Sequence, residues 1–251
     1  MRILLTNDDG VFAPGIRALA EAFSAAGHGV YVCAPDRERS AASHSVTIGS
    51  ALHAREVDVP GATRAWAVDG TPSDCASLGL FLTRDAGVDL VVSGINRGMN
   101  MGGAAIYSGT VAAAMEASMC GAPALAASLV VDPHSTAAED FGPAARVALR
   151  VAEWMPAHPL PLGALYSLNV PPLPYERLKG LVPARLAPVF LDEPNYIPDE
   201  SGGWRYQGIA RPFTGEDYDV IRAEQGYCTL TKLTWDFRLD APDDELGQIG
   251  L

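Results

Sequence analysis

The stretch MRILLTNDDG at residues 1–10, continued by IRALAEAFSAAGHGVYVCAP at residues 16–35, decides the fold. Arg2–Thr6 is a short apolar run ending in the polar cluster Asn7-Asp8-Asp9-Gly10, the pattern of a buried strand followed by a loop. From Gly15 to Ala26 the apolar residues Ile16, Leu19, Ala20 and Phe23 recur at helical spacing, and Gly27 supplies the stop. Gly29–Ala34 reads as a second buried strand, ended by Pro35. A strand, a helix and a strand in so short a span make a βαβ unit, which implies parallel pairing through a right-handed crossover.

The same pattern recurs further along. Val88–Ser93 reads as a strand, Gly94–Ser108 as a loop, the Ala-rich Gly109–Cys120 as a helix and Pro123–Ser128 as a strand. Phe141–Trp154 is predicted helical and Leu165–Val170 extended, with shorter strands at Val46–Leu52 and Arg64–Val68. An open α/β sheet over residues 1–185 follows. After about Leu186 the texture turns to Pro, Gly, Trp, Tyr and acids, with one strand-like run at Tyr227–Phe237. Residues 186–251 are too poor in helix to build a core of their own. They are expected to pack on the body or to exchange with a partner subunit.

Composition narrows the function classes. The chain has 251 residues, of which 48% are hydrophobic, which excludes a disordered chain and a disulfide-stapled miniprotein. Its formal charge is −12, a poor match to non-specific binding of a phosphate backbone. Residues 190–251 hold 13 acids against 5 bases, so the acidity is largely a property of the tail. No long apolar leader and no membrane-spanning run is visible, and Cys33, Cys75, Cys120 and Cys228 form no CxxC pair. These features predict reduced thiols, no membrane association and a cytoplasmic location.

In an open α/β sheet, ligands bind beyond the carboxyl ends of the strands. Three polar loops converge there: Asn7–Gly10, Asp36–Ser40 and Gly94–Asn100. Adjacent aspartates raise each other's pKa, and a bound cation removes that penalty. Hard oxygen donors suit Mg²⁺, Mn²⁺ or Ca²⁺, although Asp-Asp-Gly is also a common turn. Gly102–Thr110 is a glycine-bearing loop entering a helix, which presents free N–H groups to an anion such as phosphate. The plainer alternative is a Ser or Thr N-cap. Neither GxGxxG nor a Walker A loop is present. A carboxylate-held metal beside a helix-start anion site suggests metal-assisted phosphoester hydrolysis. Of the histidines (His28, His44, His53, His134, His158) only His44 lies in a candidate loop, and no role is assigned to it. Arg37, Arg39 and Arg97 are candidate substrate contacts or plain surface residues.

In order and spacing, MRILLTNDDG, APDRERSAASHSVT, VDGTPSDC, VSGINRGMNMG and YSGTVAAAMEA resemble the signature blocks of the SurE family. LNVP near Asn169 and GYCTLTKL near Tyr227 resemble its later blocks, with Lys232 where the family has proline. The resemblance implies a Rossmann-like, three-layer α/β body, mostly parallel with helices on both faces, and a C-terminal hairpin or extended oligomerisation arm. It implies a 5′-nucleotidase that hydrolyses nucleoside 5′- and 3′-monophosphates with one divalent ion per subunit, Mg²⁺ or Mn²⁺. The metal ligands it implies are Asp8, Asp9, Ser40 and Asn96, with Asp8 and Asp9 also catalytic. The implied phosphate contacts are Ser108, Gly109 and Thr110, joined by Asn100. A homodimer or homotetramer is implied, and short oligonucleotides or polyphosphate are conceivable further substrates. Whether an aspartate or a water attacks phosphorus is left open. Two rival readings are a non-catalytic nucleotide or metal sensor on the same fold and a glycosyltransferase-like nucleotide-sugar binder. The latter would need a second domain of about 150 residues, for which the chain has no room.

Overall fold

In the computed structural model, residues 1–131, 138–188, 195–207 and 215–236 are described. The first βαβ unit is β1 (Arg2–Thr6), α1 (Pro14–Ala25) and β2 (Gly29–Pro35). Pro14 starts α1, where its missing N–H costs nothing, and Ile16, Leu19, Ala20 and Phe23 form its buried face. The chain continues through β3 (Ala54–Val57), β4 (Arg64–Val68), α2 (Pro72–Leu82), β5 (Leu90–Arg97), α3 (Gly109–Met119), β6 (Ala124–Leu129), α4 (Gly142–Trp154) and β7 (Ala164–Val170). It ends in β8 (Leu181–Pro183), β9 (Asn195–Pro198), β10 (Trp204–Gln207), α5 (Asp219–Glu224) and β11 (Cys228–Thr234).

Nine strands form one sheet in the order β3-β4-β2-β1-β5-β6-β7-β11-β8. Six of them, β4 through β7 in that order, run parallel; β3 and β11 are antiparallel to their neighbours β4 and β7. Strands buried on both faces need near-continuous apolar runs, and β1 and β6 show them. Alternate side chains feed two cores. Ile3 and Leu5 pack with Ile16, Leu19, Phe23, Val147 and Val151 of α1 and α4. Leu4, Val91 and Leu165 pack with Cys75, Ala76, Val111, Ala113 and Ala117 of α2 and α3. The result is a Rossmann-like, mostly parallel sheet between two helical layers.

Three local expectations change. Val46–Leu52 is not a strand; the pairing strand is β3, further along. The Thr47 N–H and hydroxyl are both taken by Asp74 on α2, at 2.9 and 2.7 Å, which holds this segment as a strap. α2 itself was not read from the sequence, although Thr71 and Asp74 form a capping box with Pro72 in the first turn. β5 runs on through Arg97, past Ser93 where the loop was expected, because a register shift between Ser93 and Asn96 lets it keep pairing with β6. The strand-like run to Phe237 is observed as Cys228–Thr234, and Phe237 lies outside the described residues.

Candidate active site

The chain leaves β1 towards β2 on one side and later returns to β5 on the other. This makes the β1/β5 border the topological switch point, where a crevice opens beyond the strand ends. Asn7 shapes the turn there: fully buried, it donates from Nδ2 to Gly10 O at 2.9 Å and accepts the Gly10 N–H on Oδ1 at 3.2 Å. Gly10 has φ +105°, a left-handed conformation that favours glycine. The turn presents Asp8 and Asp9 at the sheet edge.

Asp8 is 4% exposed. Its carboxylate accepts the Thr110 hydroxyl hydrogen, and its carbonyl accepts the Arg39 N–H at 2.7 Å. The start of α3 is pressed against it: a Cβ at Gly109 would lie 2.9 Å from Asp8 Cβ and 3.0 Å from Oδ2. Burial pushes the Asp8 carboxyl up to about 6, Thr110 opposes this by hydrogen bonding, and the Asp9 charge adds to it. Asp9 accepts the Arg97 N–H on Oδ2 at 3.0 Å. Burial and the Glu38 charge push its carboxyl up, against that hydrogen bond.

The guanidinium of Arg97 is bound to Glu139, at 2.6 and 2.9 Å, and reaches Asp9 only through its charge. Two carboxylates thus share an edge where desolvation raises both carboxyls, a cost that a cation would remove. Asn96 sits at the carboxyl end of β5, opposite Ser128, where the bulge re-aims it. Its Nδ2 donates to Gly98 O at 3.0 Å, and Oδ1 has no hydrogen-bond partner among the described residues. Ser40 is exposed on the loop after β2, and its hydroxyl donates to Glu38 at 2.6 Å. That loop is tied down on both sides of Ser40, by Arg39 on Asp8 and by Ser43 N–H on Tyr107 O at 3.2 Å. The donor set is all oxygen, which fits a hard divalent ion. Among the described residues no cluster of three His, Cys, Asp or Glu offers an alternative metal centre.

Ser108 is the N-cap of α3 and accepts the Val111 N–H at 3.0 Å. Its own hydroxyl hydrogen and the Gly109 N–H have no acceptor among the described residues. Asn100 is 6% exposed and acts as a staple: its N–H donates to Asn169 Oδ1 and its Nδ2 to Ser128, both at 2.9 Å, and its carbonyl accepts from Asn169. Arg39 donates to Asp69 O at 2.7 Å, whereas Arg37 is exposed beside Asp36. His44 pairs with Glu116 of α3 at 2.9 Å, and His134 lies outside the described residues.

Sequence reasoning passed over three supporting residues. Asn7 had a signal, since Asn followed three residues later by Gly is a turn pattern. Asn169 was noted only as part of LNVP. Asp219 had none: it is fully buried, and it accepts the Gly102 N–H at 2.8 Å and the Ala187 N–H at 2.9 Å.

Known proteins share both sequence and fold with this chain. The family profile described as survival protein SurE matches residues 3–191. The 5′-nucleotidase SurE of Aeromonas hydrophila subsp. hydrophila is 42% identical over 242 residues, covering 94% of this chain and 93% of its own length. The 5′-nucleotidase SurE of Xanthomonas campestris pv. campestris is 41% identical over 258 residues, covering 100% of this chain and 96% of its own. The crystal structure of the SurE protein from Aquifex aeolicus matches with a TM-score of 0.82 at 33% identity, over 99% of this chain and 98% of that one. Likeness of this extent makes the chain a member of the SurE family.

Proposed function

We propose that the protein is a cytoplasmic 5′-nucleotidase, a divalent-metal-dependent phosphohydrolase that converts nucleoside 5′- and 3′-monophosphates to nucleoside and phosphate. Family membership supports the nucleotidase reading. The observation that carries the chemistry is the pair of a buried Asp8 and a half-buried Asp9, both carboxyls raised by desolvation, against a helix start with unpaired donors. Asp8, Asp9, Ser40 and Asn96 would hold one Mg²⁺ or Mn²⁺ ion. When bound, the ion supplies positive charge and Lewis-acid polarisation of a phosphoryl oxygen.

The protein's own groups do the rest. The Thr110 hydroxyl holds the Asp8 carboxylate in one orientation. The Gly109 N–H and the Ser108 hydroxyl, at the positive end of the α3 dipole, would bind phosphate oxygens and steady the charge that grows on them. Asn100 fixes the loop before α3, and the second hydrogen of its Nδ2 would be its donor to the phosphate. Hydrolysis adds water across the P–O bond, so the nucleoside oxygen leaves with a proton. Short oligonucleotides and polyphosphate are further candidate substrates, and the assembly is a homodimer or homotetramer joined through the C-terminal arm.

The test is release of phosphate from AMP. Activity should need Mn²⁺ or Mg²⁺, disappear with EDTA, return on adding metal back, and fall to background in Asp9→Asn. Turnover unaffected by chelation, or intact in Asp9→Asn, would overturn the proposal.

A further inference from the structure

The loop between β5 and α3 is held unusually firmly. Gly98 N–H donates to Leu129 O at 3.0 Å, Asn100 N–H to Asn169 at 2.9 Å and Gly102 N–H to the buried Asp219 carboxylate at 2.8 Å. At its far end Ser43 donates from its N–H to Tyr107 O at 3.2 Å and from its hydroxyl to Ile106 O at 2.9 Å. The loop also has its own inward anchors, since Met101 and Ala105 are buried. Yet it turns three further apolar side chains to solvent: Met99 is 54% exposed, Ile106 64% and Tyr107 62%. A pinned loop that leaves such side chains uncovered presents a contact surface.

Its place in the fold says what it contacts. Met99 follows Asn96 by three residues, and Tyr107 immediately precedes Ser108. At about 3.3–3.6 Å of chain per residue, neither backbone position can lie more than roughly 11 Å from a residue of the phosphate and metal site. The flat, apolar-faced base of a mononucleotide lies within that reach of its phosphate.

Resting on the phosphohydrolase reading above, the geometry points to Tyr107, with Met99 and Ile106 beside it, as the platform on which the substrate's nucleobase stacks. The phosphate is bound at the α3 start, and the base lies over the apolar side of the same loop. Stacking uses the π-face of the base, which the Tyr107 ring and the Met99 thioether can both meet. Asn169 and Asp219 act as positioning residues that fix this platform before substrate arrives.

The experiment is calorimetric binding of AMP and of ribose 5-phosphate to the full-length wild type, Tyr107→Ala and Tyr107→Phe, with sedimentation of each. Wild type should bind AMP more tightly than ribose 5-phosphate. Tyr107→Ala should weaken AMP roughly tenfold and leave ribose 5-phosphate within about twofold, while Tyr107→Phe keeps the wild-type affinity. Four results overturn the platform: equal wild-type affinity for the two ligands, equal weakening of both by Tyr107→Ala, unchanged AMP affinity at the wild-type sedimentation coefficient, or unchanged AMP affinity with an altered one. The last would mean that this face meets a second copy of the chain. Because the readout is binding, wild type that binds AMP as expected but never hydrolyses it would sink the phosphohydrolase reading and leave the platform standing.

Discussion

Asp8 sits where burial favours a proton, and this has a measurable sign. Its carboxyl is raised from 3.8 to about 6 in the folded protein without metal. Folding is therefore helped by this group below the unfolded value, and the help is lost as pH rises through the folded value. The swing is roughly 3 kcal/mol. In EDTA, urea unfolding of wild type and Asp8→Asn is expected to show wild type losing about 2.4 kcal/mol of stability relative to the variant between pH 4 and pH 7. Mn²⁺ should erase the swing, because a cation favours the charged form. A difference that stays flat with pH would contradict the burial argument. The placement of Asp8, Asp9 and Asn96 at the carboxyl edge of the sheet was legible in the sequence, because polar residues that end apolar strands mark that edge. The bonding of Asn100 was not legible, since its partners Ser128 and Asn169 lie 28 and 69 residues away.

Among the elements, α2 shows how a local signal can be present and still be overlooked. Thr71 accepts the Asp74 N–H at 3.1 Å and Asp74 accepts the Thr71 N–H at 2.9 Å, the reciprocal capping of a helix start. Asp74 also takes both Thr47 donors, so one carboxylate caps α2 and ties down the strap that displaced the expected strand at Val46–Leu52. Asp74→Ala should destabilise the protein by about 2–3 kcal/mol in a denaturant titration, more than a simple cap. It should also raise proteolytic cutting within residues 43–52. Loss of less than about 0.5 kcal/mol would mean that the strap is not held from α2. The alternation in VTIGSAL looks like a strand, but Val46 and Ile48 remain exposed, so no core rewards pairing there.

For the whole molecule, the decisive feature is where the tail goes. β11 inserts between β7 and β8, and α5 brings Asp219 under the loop that leads to α3. Part of residues 186–251 therefore completes the central sheet, while β9 and β10 form a separate antiparallel pair. An assembly arm is better tested by removing that pair than by truncating the chain. Replacing residues 189–214 with a short Gly-Ser linker should leave the circular dichroism spectrum close to that of wild type and yield a monomer in sedimentation. An oligomer of native size after this replacement would rule the pair out as the exchanged element. By itself, the sequence determined the βαβ units, the apolar strands and the polar strand ends, because each is written in spacings of two to four residues that local sterics and burial enforce. Only the tertiary structure decided the placement of β11, the strap over α2 and the Asp219 anchor. Each of these joins segments far apart in the chain, and the free energy that selects it comes from packing and hydrogen bonds that exist only once the chain has closed.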